Sequence, residues 1–329
     1  MFKDFFNKYK DYASDYNGGL SSHIPMVSYS LYELGVPFNE IEQYLDKTIE
    51  RIKISKEDLT KLYNIDDKNF EEYLGAEGSL GSYYNYFFNK INESNYLEVI
   101  GKFLPKLIKG FAARAFHPLI RLSFAVRSEN EEEVIKSLSY FASTFAPHKF
   151  DVLPPKAENP LESLKILVES VKDEDYSDNL IADRMEKVYK LDGFKKNAFT
   201  LKGNDLEILS QLDIIINKLF VETKNFTILH AVTSKEALKS LLPLVKNKKD
   251  ILQNYWLAIL AAYITIGSPE VIDLSVDIPR NLPEFKDIIK KGINSNNDHT
   301  IKLVNACRLE FEKSDDEIYK YMAYLIVLN

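Results

Sequence analysis

Cysteine, glycine and proline are scarce in this chain, and each shortage excludes a class of protein. A single cysteine, Cys307, among 329 residues rules out an internal disulfide framework and predicts a reducing, cytoplasmic compartment. Twelve glycines and twelve prolines are too few for the many tight turns of an all-β sandwich or barrel, and short strands at regular spacing do not occur. We therefore expect a protein built from helices.

Basic residues and long apolar runs are also in short supply. Lys and Arg number 42 against 49 Asp and Glu, which gives a net charge of −7 and excludes the concentrated basic face that nucleic-acid binding requires. The most apolar run, residues 256–266, is shorter than the ~20 residues that cross a bilayer. The charged N-terminal segment lacks the apolar centre of a signal peptide. We expect neither a nucleic acid nor a membrane as a partner.

Apolar residues recur at intervals of three and four, which is the period of an amphipathic helix. The pattern predicts helices at residues 25–34, 37–53, 79–92, 97–111, 118–127, 134–145, 161–171, 178–191, 204–221, 233–242, 250–266, 283–291, 299–312 and 315–328. The fold class is therefore all-α, a compact array of many helices in one domain spanning residues 1–329. The longest interruption, residues 146–160, contains four prolines, and two packed helical halves that divide there are the alternative.

Four of the five histidines lie at or beside the ends of predicted helices. His23, His117 and His299 stand close to helix starts, and His230 precedes a predicted capping box formed by Thr233 and Glu236. Helix ends that point at a common centre can assemble a metal site from distant parts of a chain. The alternative is that each imidazole is a satisfied polar group near a helix end. Imidazole suits Zn, Fe, Cu or Ni, so the residue type alone does not select the metal.

His299 and Lys302 share one face of a predicted helix because they are three residues apart. That face is otherwise apolar, through Leu303 and Ala306, so Lys302 is expected to point inward. A buried ammonium is costly unless it is paired, neutralised or modified. A neutral lysine can take up carbon dioxide and become a carbamate, which is an anionic oxygen ligand. The alternative is a lysine whose amine reaches solvent from a half-buried face.

Five short motifs follow one another in a recognisable order. They read SSHIPM followed by LYELG, FHPLIRLSFA, FAPHKF, ILHAVTSKEAL and NDHTIKLVNA, and each is centred on a histidine. Together they resemble the successive blocks of the questin oxidase-like family, from about residue 20 to residue 310. The resemblance implies an all-helical fold and oxidative chemistry on aromatic or quinone-like substrates, including ring opening of anthraquinone-type molecules by a Baeyer–Villiger-like or dioxygenase route.

The resemblance also implies a ligand set for a non-haem iron centre. Transferred onto the matching blocks, it gives His23, His117, His230 and His299 as nitrogen ligands of Fe(II), with a carboxylated Lys302 as the oxygen ligand. The expected reactants are a small aromatic substrate and dioxygen, because Fe(II) with these ligands can leave one coordination position open.

Three further residues are candidates around this centre. His148 fills its own block and is implied to lie behind the ligands or to contact substrate. Arg121 follows His117 by four residues, and we predict that it either holds a carboxylate or phenolate of the substrate or forms a structural ion pair. Asp298 is predicted either to orient an imidazole or to cap the helix that contains His299.

Two other functions remain open on the sequence. One is an NADPH-dependent monooxygenase without a metal, although the glycines of residues 75–81 follow no predicted strand and precede no GK[ST] motif, so they do not indicate a nucleotide loop. NADPH can still serve as an external reductant. The other is a non-catalytic helical binding protein, which has no need of four histidines and Lys302 together.

Overall fold

The fold is an array of α-helices. A computed structural model describes residues 2–171 and 180–328, and in these ranges the elements other than helices and turns are two short strands and two isolated bridges. The helices are α1 Phe2–Phe6, α2 Ile24–Glu33, α3 Phe38–Ile52, α4 Leu80–Glu93, α5 Tyr96–Leu107, α6 His117–Arg127, α7 Glu131–Ser143, α8 Pro160–Ser170, α9 Ile181–Lys190, α10 Asp192–Asn197, α11 Asp205–Thr223, α12 Phe226–Leu241, α13 Lys248–Thr265, α14 Phe285–Asn294, α15 Asp298–Ser314 and α16 Glu317–Val327. The all-α prediction is confirmed.

Strands β1 (Asp15–Tyr16) and β2 (Leu20–Ser21) form an antiparallel hairpin between α1 and α2. Its turn, residues 17–19, has three successive positive φ angles, of 45°, 77° and 115°. Two of these three residues are glycines, which adopt such angles without steric cost. The hairpin is too short to be recognised from alternating polarity, and it matters here because it forms one wall of the candidate site.

Asparagine side chains define where many of the helices begin. At seven helix starts an asparagine side-chain oxygen accepts a hydrogen bond from a backbone N–H of the first turn, which satisfies a group that would otherwise lack a partner. These residues are Asn95, Asn130, Asn159, Asn204, Asn225, Asn247 and Asn297. Two of them set the position of candidate ligands, since Asn225 begins α12 and Asn297 begins α15.

One predicted helix start is wrong. The sequence placed it at residue 233, after His230, but α12 begins at Phe226 and His230 lies in its second turn. The hydroxyl of Thr233 bonds to the carbonyls of Leu229 and His230, so it does not form a capping box. The other predicted helices are present, mostly with ends shifted by one to four residues. Residues 178 and 179 of the predicted helix 178–191 lie outside the described residues.

The apolar run at residues 256–266 lies almost entirely in α13, a helix that is buried along most of its length. Within the described ranges, no helix combines the length and the apolar character needed to cross a membrane. The buried core is continuous and includes helices from both sides of the 144–159 connection. The helices that position the candidate site come from both sides as well.

Four helices pack in a closed ring around that site. Helix α2 contacts α6, α6 contacts α12, α12 contacts α15, and α15 contacts α2 again. Each of the four contributes one histidine from at or near its N-terminal end. Because the helices close on one another, these four ends face one small volume.

Candidate metal centre

Four imidazole rings meet at the N-terminal ends of the ring of helices. The ring centroid of His23 lies 4.9 Å from that of His117 and 4.5 Å from that of His299. The ring of His230 lies 4.9 Å from both His117 and His299. One ring nitrogen from each of His23, His117 and His299 falls within 4.8 Å of the others. Two ligands on opposite sides of a metal, at about 2.0–2.2 Å from it, are about 4.4 Å apart, so these three nitrogens need move only slightly to share one ion.

Backbone carbonyls fix the orientation of two of the rings. Nδ1 of His117 lies 2.6 Å from the carbonyl oxygen of Arg114, and Nδ1 of His230 lies 2.8 Å from that of Phe226. A carbonyl oxygen can only accept, so both Nδ1 atoms carry the proton. Each Nε2 atom is therefore left with a lone pair.

A carboxylate performs the same task for His23. Nδ1 of His23 lies 3.3 Å from Oδ2 of Asp298, while the other oxygen of Asp298 accepts a hydrogen bond from the hydroxyl of Tyr44 in α3. Burial of Asp298 opposes its ionisation, but the hydrogen bonds from His23 and Tyr44 prevail and lower its pKa to about 2. The ionised carboxylate places the proton of His23 on Nδ1 and turns its Nε2 lone pair towards the other rings. The N-cap of α15 is Asn297 and not Asp298. Of the two roles predicted for Asp298, the structure therefore contains the orientation of an imidazole and not the helix cap.

The Nε2 atoms of His23 and His117 are only 2.8 Å apart. Both carry lone pairs, because both Nδ1 atoms are protonated, and two acceptors at this distance form no hydrogen bond with each other. A proton on one Nε2 would resolve the contact. Burial and the nearby Lys302 ammonium lower the pKa of His23 to about 4, however, and they lower that of His117 well below its usual range. At neutral pH the pair thus presents two adjacent nitrogen lone pairs in a buried position.

The remaining two rings are held neutral by the same causes. Burial and the Lys302 ammonium lower the pKa of His230 to about 3 and that of His299 still further. The N-terminal ends of helices carry a partial positive charge, which also disfavours an imidazolium. All four imidazoles are therefore in the unprotonated form that binds metals.

Lys302 lies one turn beyond His299 on α15, with 1% of its surface exposed. Its Nζ is buried and has no hydrogen-bond partner in the described part of the chain. Burial lowers the pKa of Lys302 to about 7, and the attraction of Asp298 only partly opposes the change. The neutral, nucleophilic amine is therefore far more accessible at neutral pH than in an ordinary lysine. Lys302 therefore points into the protein, as the sequence predicted.

A strained backbone turn holds His117 in place. Arg114, Ala115 and Phe116, immediately before it, have φ angles of 48°, 54° and 66°. This is the left-handed region, where each residue with a side chain costs roughly 1–2 kcal/mol. The turn brings the carbonyl of Arg114 within reach of Nδ1 of His117 and starts α6 at His117. Strain of this kind persists only where the surrounding packing enforces it, and it clusters at functional sites.

A cavity of about 320 Å³ opens beside the four imidazoles. The β1–β2 hairpin, the start of α9 and Phe226 all line it. The ring of Phe226 lies 4.8 Å from that of His230 and 4.5 Å from that of His299, so an apolar surface adjoins the cluster directly. Its size falls at the lower end of the ~300–1,000 Å³ typical of small-molecule sites.

Comparison with known families covers the residues of all five histidine-centred motifs. A profile of questin oxidase-like proteins matches residues 20–212 and 221–307, which is most of the chain. The chain belongs to the questin oxidase-like family. Membership indicates an oxidoreductase. A search of curated proteins gave no match to this sequence.

Two residues predicted to serve this questin oxidase-like protein lie outside the cluster. Arg121 is buried and pairs with Glu133, its Nε 2.5 Å from Oε1, while its Nη1 donates to the hydroxyl of Ser14. Of its two predicted roles, the structure contains the ion pair. His148 is also buried, with Nε2 2.8 Å from the amide oxygen of Asn254, and it does not line the cavity beside the imidazoles.

Sequence reasoning missed several residues of the site. Tyr44 and the left-handed turn at residues 114–116 support ligands, and Phe226 and Arg184 line the cavity. Phe226 could have been found from Asn225, a capping residue five positions before His230, because a helix that starts there places the carbonyl of Phe226 one turn before the imidazole. The others leave no sequence signal, since their roles depend on which helices become neighbours.

Proposed function

We propose that this member of the questin oxidase-like family is an Fe(II)-dependent oxidoreductase that uses dioxygen on an aromatic or quinone-like substrate. The proposed ligands are His23, His117, His230 and His299, with Lys302 as a carbamate. The observation that carries the proposal is the 2.8 Å contact between two unprotonated Nε2 atoms, which a metal ion would turn from a repulsive contact into part of a coordination sphere.

The supporting groups match what metal sites require. Histidine ligands usually donate the second ring N–H to a carboxylate or a backbone carbonyl, which fixes the tautomer and raises the basicity of the ligating nitrogen. Here His23 has Asp298, His117 has the carbonyl of Arg114 and His230 has that of Phe226. These partners explain why the rings are held in place before any ion binds.

Charge balance favours an anionic group at Lys302. The histidines lie near the N-terminal ends of four helices, each equivalent to about half a positive charge, and the imidazoles themselves are neutral. Asp298 supplies one negative charge next to the ligands. A dication in this position needs more, and a carbamate on the unpartnered Nζ of Lys302 would supply it while removing a positive charge.

When bound, Fe(II) would supply electrons for dioxygen chemistry and one open coordination position. The chain's own residues would do the rest. Asp298 and the two carbonyls orient the imidazoles, and Phe226 with the hairpin forms an apolar chamber for the substrate. Apolar surface of this kind favours an aromatic substrate next to the imidazoles.

Metal content tests the proposal. Untagged protein is reconstituted with Fe(II) under anaerobic conditions, desalted and measured by elemental analysis. We expect one iron per chain in the parent and in His148→Ala, a matched control because this imidazole is buried outside the cluster. His117→Ala should lose most of the iron. Equal iron in both variants would contradict the proposed centre.

Oxygen consumption separates the proposal from the alternative. We expect substrate-dependent oxygen uptake that requires iron. Lys302→Ala should abolish this uptake, and added bicarbonate should not restore it. Lys302→Glu should restore part of the uptake by offering a shorter carboxylate. Uptake by chelator-treated protein with NADPH and an aromatic substrate would instead support the metal-free monooxygenase.

A further inference from the structure

The wall of the cavity beside the imidazoles carries positive charge and no carboxylate among the described residues. Two arginines line it, Arg114 from the left-handed turn and Arg184 from α9. The whole chain has a net charge of −7, so a cationic cavity departs from the character of the rest of the protein.

Both guanidinium groups have unused hydrogen-bonding capacity. Arg114 pairs through Nη2 with Asp15 at 3.1 Å, but its Nε is buried and without a partner. The Nε of Arg184 is likewise buried, and it has no partner among the residues that the structure describes. A buried donor without a partner is unfavourable and is rare in folded proteins. Because neither Nε atom is exposed to the cavity, a ligand there would meet the terminal nitrogens of the two side chains, and those of Arg184, which pairs with no described carboxylate, are the free donors.

The mouth of the same cavity is apolar. Leu20, Leu180 and Phe226 all line it, and their surfaces are 40%, 38% and 52% exposed. Large apolar side chains gathered at one concave surface mark a ligand site. Charge and apolar surface together describe a ligand that has an apolar body and one anionic group.

The volume limits the size of that body. An apolar cavity of about 150 Å³ accommodates benzene, and this one has about 320 Å³. It therefore encloses about two aromatic rings, and a larger molecule would extend through the mouth. An aromatic body lying on Phe226 would be next to His230 and His299, whose rings contact that of Phe226.

We infer that the substrate is an aromatic carboxylate whose carboxyl group is held by Arg184, with Arg114 beside it. The inference rests on the proposed function in that it names the substrate class of the same site. Arginine is suited to the role because its planar fork binds both carboxylate oxygens at once. The role that the sequence offered to Arg121 thus falls to Arg184, since Glu133 already occupies Arg121.

Binding of 2-naphthoate and of its uncharged analogue 2-naphthamide tests the inference, because both have two fused rings and they differ in charge. Titration calorimetry is performed on the iron-loaded protein and on the chelator-treated protein. We expect 2-naphthoate to bind both forms, and Arg184→Gln to weaken it about tenfold or more, as the loss of a charged hydrogen-bond pair requires. The affinity for 2-naphthamide should not change. Arg184→Lys should retain part of the preference for the anion, and the matched control Arg280→Gln, an exposed arginine outside the cavity, should behave as the parent.

The outcomes separate this inference from the proposed function. If 2-naphthamide binds as tightly as 2-naphthoate, or if Arg184→Gln binds 2-naphthoate like the parent, the inference is overturned. Binding of 2-naphthoate to the iron-loaded form alone, unaffected by Arg184→Gln, would mean that the metal holds the carboxylate; the inference would then fail while the iron centre stood. Binding that depends on Arg184 in a protein that takes up no iron would uphold the inference and refute the proposed function.

Discussion

Replacing Lys302 by methionine should stabilise the protein when no metal is present. The amine is buried without a partner among the described residues, and its pKa is lowered to about 7. Removing this amine from water during folding therefore lowers the free energy of unfolding. Methionine fills a similar volume with no charge and no polar group to satisfy. The parent protein is therefore expected to be the less stable of the two in chelator.

The size and the pH dependence of the effect follow from the change in pKa. The pKa of Lys302 falls from 10.5 in the unfolded chain to about 7 in the folded one, and each unit corresponds to about 1.4 kcal/mol. Between these values the unfolded chain holds a proton that the folded chain lacks, so the stability of the parent rises with pH. The penalty is about 4 kcal/mol at pH 7 and about 2 kcal/mol at pH 9, as upper bounds. The advantage of Lys302→Met should shrink accordingly.

Lys235 provides a matched control. It is as deeply buried as Lys302, but its Nζ lies 2.9 Å from Oδ1 of Asp213 and 2.6 Å from the side-chain oxygen of Asn217. Without Lys235, Asp213 keeps only Lys239, at 3.2 Å, as a cationic partner among the described residues, and the amide oxygen of Asn217 loses this donor; losing part of a buried charge network destabilises a fold. Lys235→Met should therefore lower the free energy of unfolding while Lys302→Met raises it.

Urea denaturation followed by far-ultraviolet circular dichroism measures both effects, at pH 7 and pH 9, with chelator and with anaerobic Fe(II). Iron should stabilise the parent and leave Lys302→Met almost unchanged, so that the order of the two proteins is reversed by the metal. If Lys302→Met is less stable than the parent in chelator at both pH values, the amine is satisfied in solution and the reasoning about Lys302 is refuted.

Three further predictions concern the groups around the cluster. Asp298→Asn should weaken iron binding by about 10- to 100-fold in an equilibrium competition assay, since the ring of His23 loses its carboxylate partner; an unchanged affinity would show that Asp298 does not orient this ligand. At a fixed pressure of carbon dioxide, the logarithm of the iron affinity should fall by about two per pH unit from pH 7 to pH 5, because the Lys302 ammonium (pKa about 7) must lose one proton and the amine releases a second when it becomes a carbamate, while the imidazoles are already neutral; a slope steeper than two would mean that an imidazole titrates as well. Arg121→Met should lower the free energy of unfolding by about 3–5 kcal/mol by leaving Glu133 buried and unpaired, with the iron content of the folded protein unchanged; loss of iron at full stability would contradict its structural role.

The helical fold and the placement of most of the proposed ligands at helix starts could be predicted from the sequence because both depend on local patterns. Apolar residues three and four apart indicated the helices, and a proline just after His23 and His117 indicated helix starts. The spacing of His299 and Lys302 placed both on one inward face. Local rules failed at His230, where Thr233 and Glu236 resembled a capping box although Asn225 begins the helix.

Tertiary packing determined what the sequence could not predict. The left-handed turn consists of Arg114, Ala115 and Phe116, none of which favours positive φ, so only the packing around them enforces it. Arg184 lies in α9, an amphipathic helix whose sequence resembles that of many helices on protein surfaces. Its position at the cavity depends on how α9 packs against the rest of the fold. The choice between two roles for Arg121 was likewise made by a partner on another helix, Glu133.

The proposed ligands are spread along almost the whole chain, with consequences for biosynthesis. During synthesis the first two histidines, His23 and His117, emerge early, whereas His299 and Lys302 follow nearly two hundred residues later. Their helices α2 and α15 are neighbours in the finished ring, so the ring cannot close until the C-terminal helices have been made. A nascent or prematurely terminated chain would offer at most a partial, exposed set of imidazoles. Iron would therefore be inserted only after synthesis of the polypeptide is complete.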